Sequence, residues 1–445
     1  MAYKFYIEVY GCQMNVYDAS RIADIMSTTG FIRTMEASEA DILIFYTCNI
    51  REKAVNKLFS RIGALKKQKT TVVAVGGCVA QGEGEAIFKR NNINISFGSQ
   101  MYHELPQYVN SVIENKADKI LSLNLNHDTN EQGAKFECLP KRQTSSYSEF
   151  VTIQEGCNNF CTYCVVPYTR GCEYSRPVAD VLSEIKGLLA SGTKEIILIG
   201  QNVNSYDGEA PYINIGQTRG TWSLDRLILE ISNLNGLKRL RYTTSHPKDL
   251  SINLMKVHSQ IPVLTPFVHV PVQSGNDRIL RIMNRKHTAL EYVEKLQQFK
   301  AICPTIQFSS DFIVGFPTET EDEFYDTIRL AQRVKYTTSY SFKYSRRKDT
   351  PADKMEGQIP EDIKENRLKI LQTSLLKDQI NHNKAIIGTT QEVLFDKAGK
   401  KKSQYIGKNI YLQSVIVESD DNLIGNFRNV FIESARENCV FGKLM

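Results

Sequence analysis

Val151-Thr152-Ile153-Gln154-Glu155-Gly156-Cys157-Asn158-Asn159-Phe160-Cys161-Thr162-Tyr163-Cys164 sets three cysteines on one loop directly after a strand-like run. Their spacing is i, i+4 and i+7. Three thiolates on one short loop can hold three irons of a [4Fe–4S] cluster and leave the fourth iron open. Electron-transfer clusters normally take four cysteines, in runs such as C-x₂-C-x₂-C. An open iron is a place where a substrate can bind directly. The competing reading is a structural zinc site completed by Cys172 or a distant histidine. Zinc sites usually present paired C-x₂-C halves, and no second pair occurs in this chain. Spacing favours the cluster.

Downstream of this loop, strand and helix alternate on a regular scale. Strands are predicted at Val151–Glu155, Glu195–Gly200, Lys238–Thr244, Pro266–Val270, Gln307–Val314 and Thr338–Tyr344. Helices are predicted at Val178–Ser191, Ser223–Leu234, Pro247–His258, Ala289–Ala301 and Thr320–Val334. A last helix, around Glu361–Ile380, carries Leu368, Leu371 and Leu375 on one face. Six βα repeats imply an open or incomplete parallel barrel, a partial (β/α)6 core with function at the carboxyl ends of its strands.

The amino-terminal part alternates too. Strands at Lys4–Tyr10, Asp41–Tyr46 and Thr71–Val75, with helical stretches near Asp18–Thr29, Arg51–Lys67 and Glu83–Arg90, imply βαβ units on a parallel sheet. Cys12, Cys48 and Cys78 each fall two to three residues past one of those strands. Parallel strands put such ends on one edge, so three distant cysteines can converge there. Gly11 and Gly76-Gly77 supply glycine where backbone must approach a ligand closely. On this pattern alone, a metal site and three unrelated buried thiols are equally good readings. Residues 116–145 lack strong periodicity and read as a linker. Short β-rich segments at Gln391–Phe395, Ile410–Val417, Asn429–Glu433 and Cys439–Phe441 predict a small antiparallel β-barrel, a shape that often holds oligonucleotides. The α/β chain thus divides into an amino-terminal parallel-sheet domain (1–118), a partial barrel (143–375) and a small carboxyl-terminal β-barrel (376–445).

Composition agrees with this division. A chain of 445 residues suggests about three domains at ~150 residues each. With 42% hydrophobic and 23% charged residues, wholesale disorder is excluded. Apolar runs such as Val72–Val75 and Ile196–Ile199 are strand-sized, whereas a bilayer crossing needs about 20 apolar residues. No membrane partner is expected, and Met1-Ala2-Tyr3-Lys4-Phe5-Tyr6 runs straight into a strand pattern without secretory character. The expected location is cytoplasmic, where ten cysteines read as metal ligands or catalytic thiols rather than disulfides. Lys+Arg 55 against Asp+Glu 49 gives +6, which permits a nucleic-acid partner without demanding one. No Ser/His/Asp order, H-E-x-x-H, phosphate loop or zinc-deaminase signature occurs.

Cys157-x₃-Cys161-x-Tyr163-Cys164, opening a β/α barrel, resembles the radical S-adenosylmethionine (SAM) superfamily. The resemblance implies a reduced cluster whose open iron chelates the amino and carboxylate groups of SAM. Electron donation then splits the sulfonium into methionine and a 5′-deoxyadenosyl radical. Tyr163, at the family's aromatic position, is expected to pack against the adenine. Gln201 and Asn202 stand where the superfamily commonly holds the SAM amino group, and Gln273 lies at the same rim. Each reads equally as an ordinary polar residue of a barrel mouth. Around the other cysteines, Tyr10-Gly11-Cys12-Gln13-Met14-Asn15, Thr47-Cys48-Asn49-Ile50-Arg51-Glu52-Lys53-Ala54 and Gly77-Cys78-Val79-Ala80-Gln81 resemble the amino-terminal domain of the methylthiotransferases. These are radical SAM enzymes with a second [4Fe–4S] cluster on three cysteines. The similarity continues through Gln201–Tyr206, Ser245-His246-Pro247, His269–Gly275 and Asp311–Pro317. The carboxyl-terminal barrel is similar to a TRAM domain, an RNA-binding module. Ile50–Ala54 is most similar to the MiaB type, although Tyr46 and Asn49 stand where that type usually has Asn and Ser.

That resemblance implies a tRNA methylthiotransferase acting on C2 of N6-dimethylallyladenosine at position 37 of tRNA. Two SAM molecules are implied. One donates a methyl group to sulfur at an auxiliary cluster on Cys12, Cys48 and Cys78; the other is cleaved at the cluster on Cys157, Cys161 and Cys164, and its radical removes the C2 hydrogen. The expected cofactors are two [4Fe–4S] clusters and SAM. Expected partners are the tRNA anticodon stem-loop, an electron donor such as a flavodoxin or ferredoxin, and an iron–sulfur carrier protein. Two rivals stay open: a sister methylthiotransferase acting on threonylcarbamoyl-adenosine or a ribosomal-protein aspartate, and a non-catalytic RNA-binding protein with zinc at the loop cysteines. Arg170 reads either as a ligand for a carboxylate or phosphate or as a solvated loop residue, and Lys400-Lys401-Lys402 as a phosphate contact or a solvated turn. Cys138, Cys172, Cys303, Cys439 and Trp222 read as structural.

Overall fold

The computed structural model describes residues 2–48, 52–64, 72–89, 92–123, 133–143, 145–211 and 220–445. Its first domain runs β1 (Lys4–Tyr10), α1 (Gln13–Thr28), β2 (Ile32–Arg33), β3 (Ile42–Thr47), α2 (Glu52–Ala64), β4 (Val72–Gly77), α3 (Cys78–Glu83), β5 (Ile95–Phe97), α4 (Leu105–Ile113) and β6 (Ile120–Ser122). All six strands pair in parallel, in the order β2-β1-β3-β4-β5-β6. Successive side chains of a strand point to opposite faces, so a strand buried on both sides reads as a continuous apolar run. On β3, Ile42 and Ile44 join Ile22, Met26 and Val109 on one face, while Leu43 and Phe45 join Leu58 and Ile62 on the other.

Two expectations shift here. Helix α1 begins at Gln13 rather than Asp18, with Cys12 as its N-cap. The stretch read as linker contains β6 and the short helix α5 (Ala134–Glu137). Arg51, residues 65–67, Thr71 and Arg90, expected in helices or a strand, lie outside the described residues, as do motif residues 49–51.

The second domain continues through β7 (Ser148–Thr152), β8 (Gln154–Glu155), α6 (Val166–Arg170), β9 (Tyr174–Ser175), α7 (Val178–Ala190) and β10 (Glu195–Ile199). After the hairpin β11 (Asp207–Glu209) and β12 (Thr221–Ser223) come α8 (Leu224–Ser232), β13 (Arg239–Tyr242), α9 (Ile252–Gln260) and β14 (Phe267–His269). It closes with α10 (Asp277–Ile282), α11 (Ala289–Ile302), β15 (Gln307–Val314), α12 (Glu321–Val334), β16 (Thr338–Lys343) and α13 (Glu361–Ala385). β7, β10 and β13 pair in parallel, as do β14, β15 and β16. A parallel bridge between Leu240 and Leu264 joins the two sets into one six-strand partial barrel. Val151, Leu198, Leu240, Val268 and Phe312 pack outward against Val181, Leu227, Leu254, Leu296 and Ala331 of the surrounding helices.

Helix α13 runs 25 residues, unbroken to Ala385. Beyond it β17 (Thr390–Ala398), β18 (Gln404–Lys408), β19 (Ser414–Glu418), β20 (Phe427–Ala435) and β21 (Val440–Leu444) form a closed barrel. Its pairings are antiparallel except that of β19 with β21, which is parallel, so the barrel is not wholly antiparallel as the sequence suggested. This barrel docks where the strands of the partial barrel begin. Arg239, buried at the start of β13, donates to Lys408 O at 3.0 Å and Glu392 O at 3.3 Å. Lys194, just before β10, donates to Gly425 O at 2.7 Å. The cysteine loop follows the opposite ends of the strands.

Candidate active site

Each loop cysteine receives a nitrogen donor. Asn159 Nδ2 donates to Cys157 Sγ at 3.3 Å, Arg285 Nη1 to Cys161 Sγ at 3.6 Å, and the Val166 N–H to Cys164 Sγ at 3.5 Å. Such N–H···S contacts stabilise thiolate ligands and tune the metal they hold. Burial pushes the Cys157 thiol up, and burial together with the neighbouring Cys161 pushes Cys164 up to about 12. A cation held by these sulfurs would favour their ionised forms.

The loop is held rigidly. Gly156 has φ +75°, and a Cβ there would lie 1.7 Å from Cys172 O. Its N–H donates to Gln201 Oε1 at 2.6 Å, and the Cys157 N–H donates to Gly171 O at 3.3 Å. Gln154 Oε1 in turn accepts from the N–H groups of Gln201 and Asn202 at 2.8 and 3.0 Å. Gln201 therefore sits on the cysteine loop itself. Tyr163 lies beside Cys161 and packs against Ile279, Met283, Phe316 and Tyr344. Asn202 is buried, with its Nδ2 donating to Asp249 Oδ2 at 2.8 Å. Gln273, at φ +75°, is joined to β15 through its N–H to Asp311 O and through its O from the Ile313 N–H, at 3.0 and 2.9 Å.

Cys12, Cys48 and Cys78 gather at the carboxyl edge of the first sheet. Cys12 caps α1, Cys48 follows β3 directly and Cys78 opens α3. A Cβ at Gly11 would lie 2.6 Å from Cys48 Cβ, and one at Gly77 (φ +91°) would lie 2.6 Å from Thr47 O. These two glycines allow the cysteine-bearing segments to approach. A hydrogen bond with Cys48, aided by the Arg170 charge, lowers Cys12 to about 6. The same guanidinium acts on Cys78. Cys12 is also packed with Met14, Tyr17, Phe136, Ile197 and Ile199, which sets this edge against β10 of the barrel.

Among the described residues no group of three or more His, Cys, Asp and Glu side chains is arranged around one metal ion. A [4Fe–4S] cube takes one thiolate per iron, so its ligands stand farther apart than those of a mononuclear site. Both trios offer sulfur alone, the donor that suits iron–sulfur clusters.

Between the trios lies a buried charge network that sequence reading missed. Arg170, 2% exposed, pairs with Asp18 of α1 at 2.8 Å and Glu155 of β8 at 2.6 Å. Lys135 of α5 also pairs with Glu155, and Tyr46 Oη donates to Asp18 at 3.1 Å. Arg170 is thus no solvated loop residue; it binds carboxylates, and they are the protein's own. Arg285 was missed as well, because it belongs to no motif. Asn159 sits inside the cysteine motif, where its side chain was the available signal. Lys400, Lys401 and Lys402 are exposed in the turn between β17 and β18, and Trp222 is buried beneath Arg226.

Residues 4–98 match the family described as uncharacterized protein family UPF0004, residues 151–331 the radical SAM superfamily, and residues 384–445 the TRAM domain. The solved radical S-adenosylmethionine methyltransferase TsrM from Kitasatospora setae, with cobalamin and a [4Fe-4S] cluster bound, has a similar fold. Its TM-score is 0.54 at 13% identity, covering 79% of this chain and 74% of that one. Fold and loop together define a radical SAM enzyme, one that uses an iron–sulfur cluster and SAM and carries a TRAM domain. Full-length relatives are narrower in kind. The tRNA-2-methylthio-N(6)-dimethylallyladenosine synthase of Wolbachia pipientis subsp. Culex pipiens is 46% identical over 98% of each chain. Those of Erythrobacter litoralis and Rickettsia typhi are 45% and 44% identical, over 99% and 100% of this chain and 96% and 100% of theirs. The chain belongs to the tRNA-2-methylthio-N(6)-dimethylallyladenosine synthase family.

Proposed function

We propose that this protein methylthiolates C2 of N6-dimethylallyladenosine at position 37 of tRNA, giving 2-methylthio-N6-dimethylallyladenosine. One observation carries the reading: two separate cysteine trios stand on either side of one buried charge network. Cys157, Cys161 and Cys164 hold the SAM-binding [4Fe–4S] cluster; Cys12, Cys48 and Cys78 hold an auxiliary one. Bound there, the clusters supply the electron for SAM cleavage and a site for sulfur delivery.

The chain's own residues position and shield. Asn159, Arg285 and the Val166 N–H place partial positive charge on the loop sulfurs. Gln201 fixes Gly156, and through it the start of the loop. Tyr163 beside Cys161 borders the adenine of SAM, and Asn202 and Gln273 shape the rim around it. The TRAM barrel, through Lys400–Lys402, touches phosphate. The target base leaves its stack to reach the cysteines, which is easiest in a single-stranded loop. A flavodoxin or ferredoxin donates the electron, and an iron–sulfur carrier loads the sites.

Iron and sulfide quantitation on anaerobically prepared protein tests this. Wild type should hold about eight irons, and each triple Cys→Ala variant about four. Zinc without iron rejects the clusters. In tRNA from a deletion strain, isopentenyladenosine should lose its methylthio group; an unchanged nucleoside profile rejects the substrate.

A further inference from the structure

We infer that Arg170 is a positioning residue that locks the auxiliary cysteine site to the radical SAM loop and sets the electrostatic balance at the auxiliary cluster; this rests on the two-cluster reading above. The segments that carry the proposed ligands connect to this one side chain, directly or through Asp18 and Tyr46. Asp18, its partner at 2.8 Å, lies on the helix that Cys12 caps. Tyr46, two residues before Cys48, bonds to the same Asp18. A Cβ on Gly77, next to Cys78, would come within 3.3 Å of the Tyr46 ring. Glu155, the other partner at 2.6 Å, is two residues before Cys157, and Arg170 itself follows Cys164 on α6. The first domain grips that helix directly as well. Ser99 Oγ donates to Thr169 O at 3.0 Å, and Gln100 Nε2 donates to Arg170 O at 3.1 Å.

Charge points the same way. Burial pushes the Asp18 carboxyl up and the facing Arg170 and Lys135 pull it down; with both carboxylates ionised, Arg170 and Lys135 balance Asp18 and Glu155 in formal charge. The guanidinium nonetheless stands beside the auxiliary site: it pairs with Asp18 on the helix that Cys12 caps, and Asp18 bonds to Tyr46, two residues before Cys48. Reducing a cluster adds one negative charge, and a buried cation nearby favours that charge far more than one in water would. Arg170 therefore holds the auxiliary potential up. Removing the cation must make the cluster harder to reduce; removing the Asp18 carboxylate, which partly cancels that cation, must make it easier.

The test uses full-length protein with Cys157, Cys161 and Cys164 replaced by alanine, so that only the auxiliary cluster remains. Redox titration followed by electron paramagnetic resonance reads its midpoint potential. Arg170→Gln is expected to shift it to more negative values, Asp18→Asn to less negative values, and Arg170→Lys to leave it near the parent. Opposite signs separate electrostatics from bracing, because a loosened scaffold has no reason to respond with sign. Should Arg170→Gln fail to load iron, the Asp18→Asn shift decides. Loaded variants with unchanged potentials, or shifts of one sign, overturn the inference. A parent protein that binds no iron overturns the auxiliary-site reading itself.

Discussion

Replacing Gly156 with alanine tests the loop geometry most directly. The new Cβ would lie 1.7 Å from Cys172 O and 2.8 Å from Gly171 O, and both are backbone atoms that cannot swing aside. Real Cβ contacts essentially never fall below 3.0 Å, so the segments must separate by more than an ångström. The left-handed backbone at φ +75° adds ~1–2 kcal/mol for a residue with a side chain, and overpacking adds ~1–3 kcal/mol. Together these fall below the ~5–15 kcal/mol that holds a typical domain, so the chain should still fold. Ligation is far less forgiving, since metal–ligand distances tolerate only ~0.2 Å. Gly156→Ala should therefore fall from about eight irons to about four. Formation of 5′-deoxyadenosine should drop at least ~100-fold, the scale of a 1 Å misplacement. Gly192→Ala is the control: its φ is +96° but nothing lies within 4 Å of the new Cβ, so only the backbone term applies and iron content should hold. A Gly156→Ala protein with full iron and wild-type deoxyadenosine formation would refute the reasoning.

Other outcomes follow from the same geometry. Cys157→Ala should abolish 5′-deoxyadenosine formation, whereas Cys48→Ala should keep it and lose sulfur insertion, as read by nucleoside analysis; thiolated tRNA from the second variant contradicts the auxiliary assignment. His258 is buried with its Nε2 2.9 Å from Tyr242 Oη, and burial lowers it from 6.5 to about 3. The unfolded chain then takes up the proton first, so this contribution is full above pH 6.5 and is lost as pH falls toward 3. About 2 kcal/mol should be gone by pH 5. Urea midpoints at pH 7 and 5 should diverge less in His258→Gln than in wild type, and equal divergence excludes the residue. Arg239→Met removes the weaker of Glu195's two arginine partners, Arg241 remaining, and two hydrogen bonds that hold the small barrel, at a cost of ~1–3 kcal/mol. Proteolysis near residues 386–389 should accelerate and tRNA affinity fall, with tRNA-independent SAM cleavage unchanged; loss of that cleavage as well would mean the docking reaches the cysteine loop.

Much of this was legible in local pattern. The cysteine spacing, the strands bearing it and the doubly buried β3 each follow from short-range periodicity. Helix α1 was misplaced for a physical reason: Asp18, Arg21 and Asp24 point inward, so the polar face that marks a helix start is itself buried. Arg170 was legible as a carboxylate ligand, but not the identity of its carboxylates, because Asp18 lies on a helix of the first sheet domain far along the chain. The stretch before β7 looked like linker because Lys135 buries a charge where a core helix would carry leucine. The parallel closure of β19 onto β21 depends on the path of the whole small barrel, which no single segment encodes.

The docking of the small barrel at the strand starts turns the protein into a ruler. A five-residue strand such as β10 spans roughly 17 Å, and the cysteine loop lies beyond its far end. A ligand gripped at both ends gains from effective concentration, as a two-handed hold does, while one too short for the distance is held by a single hand. On the proposed function, an RNA held by both the small barrel and the cysteine site must be longer than that strand.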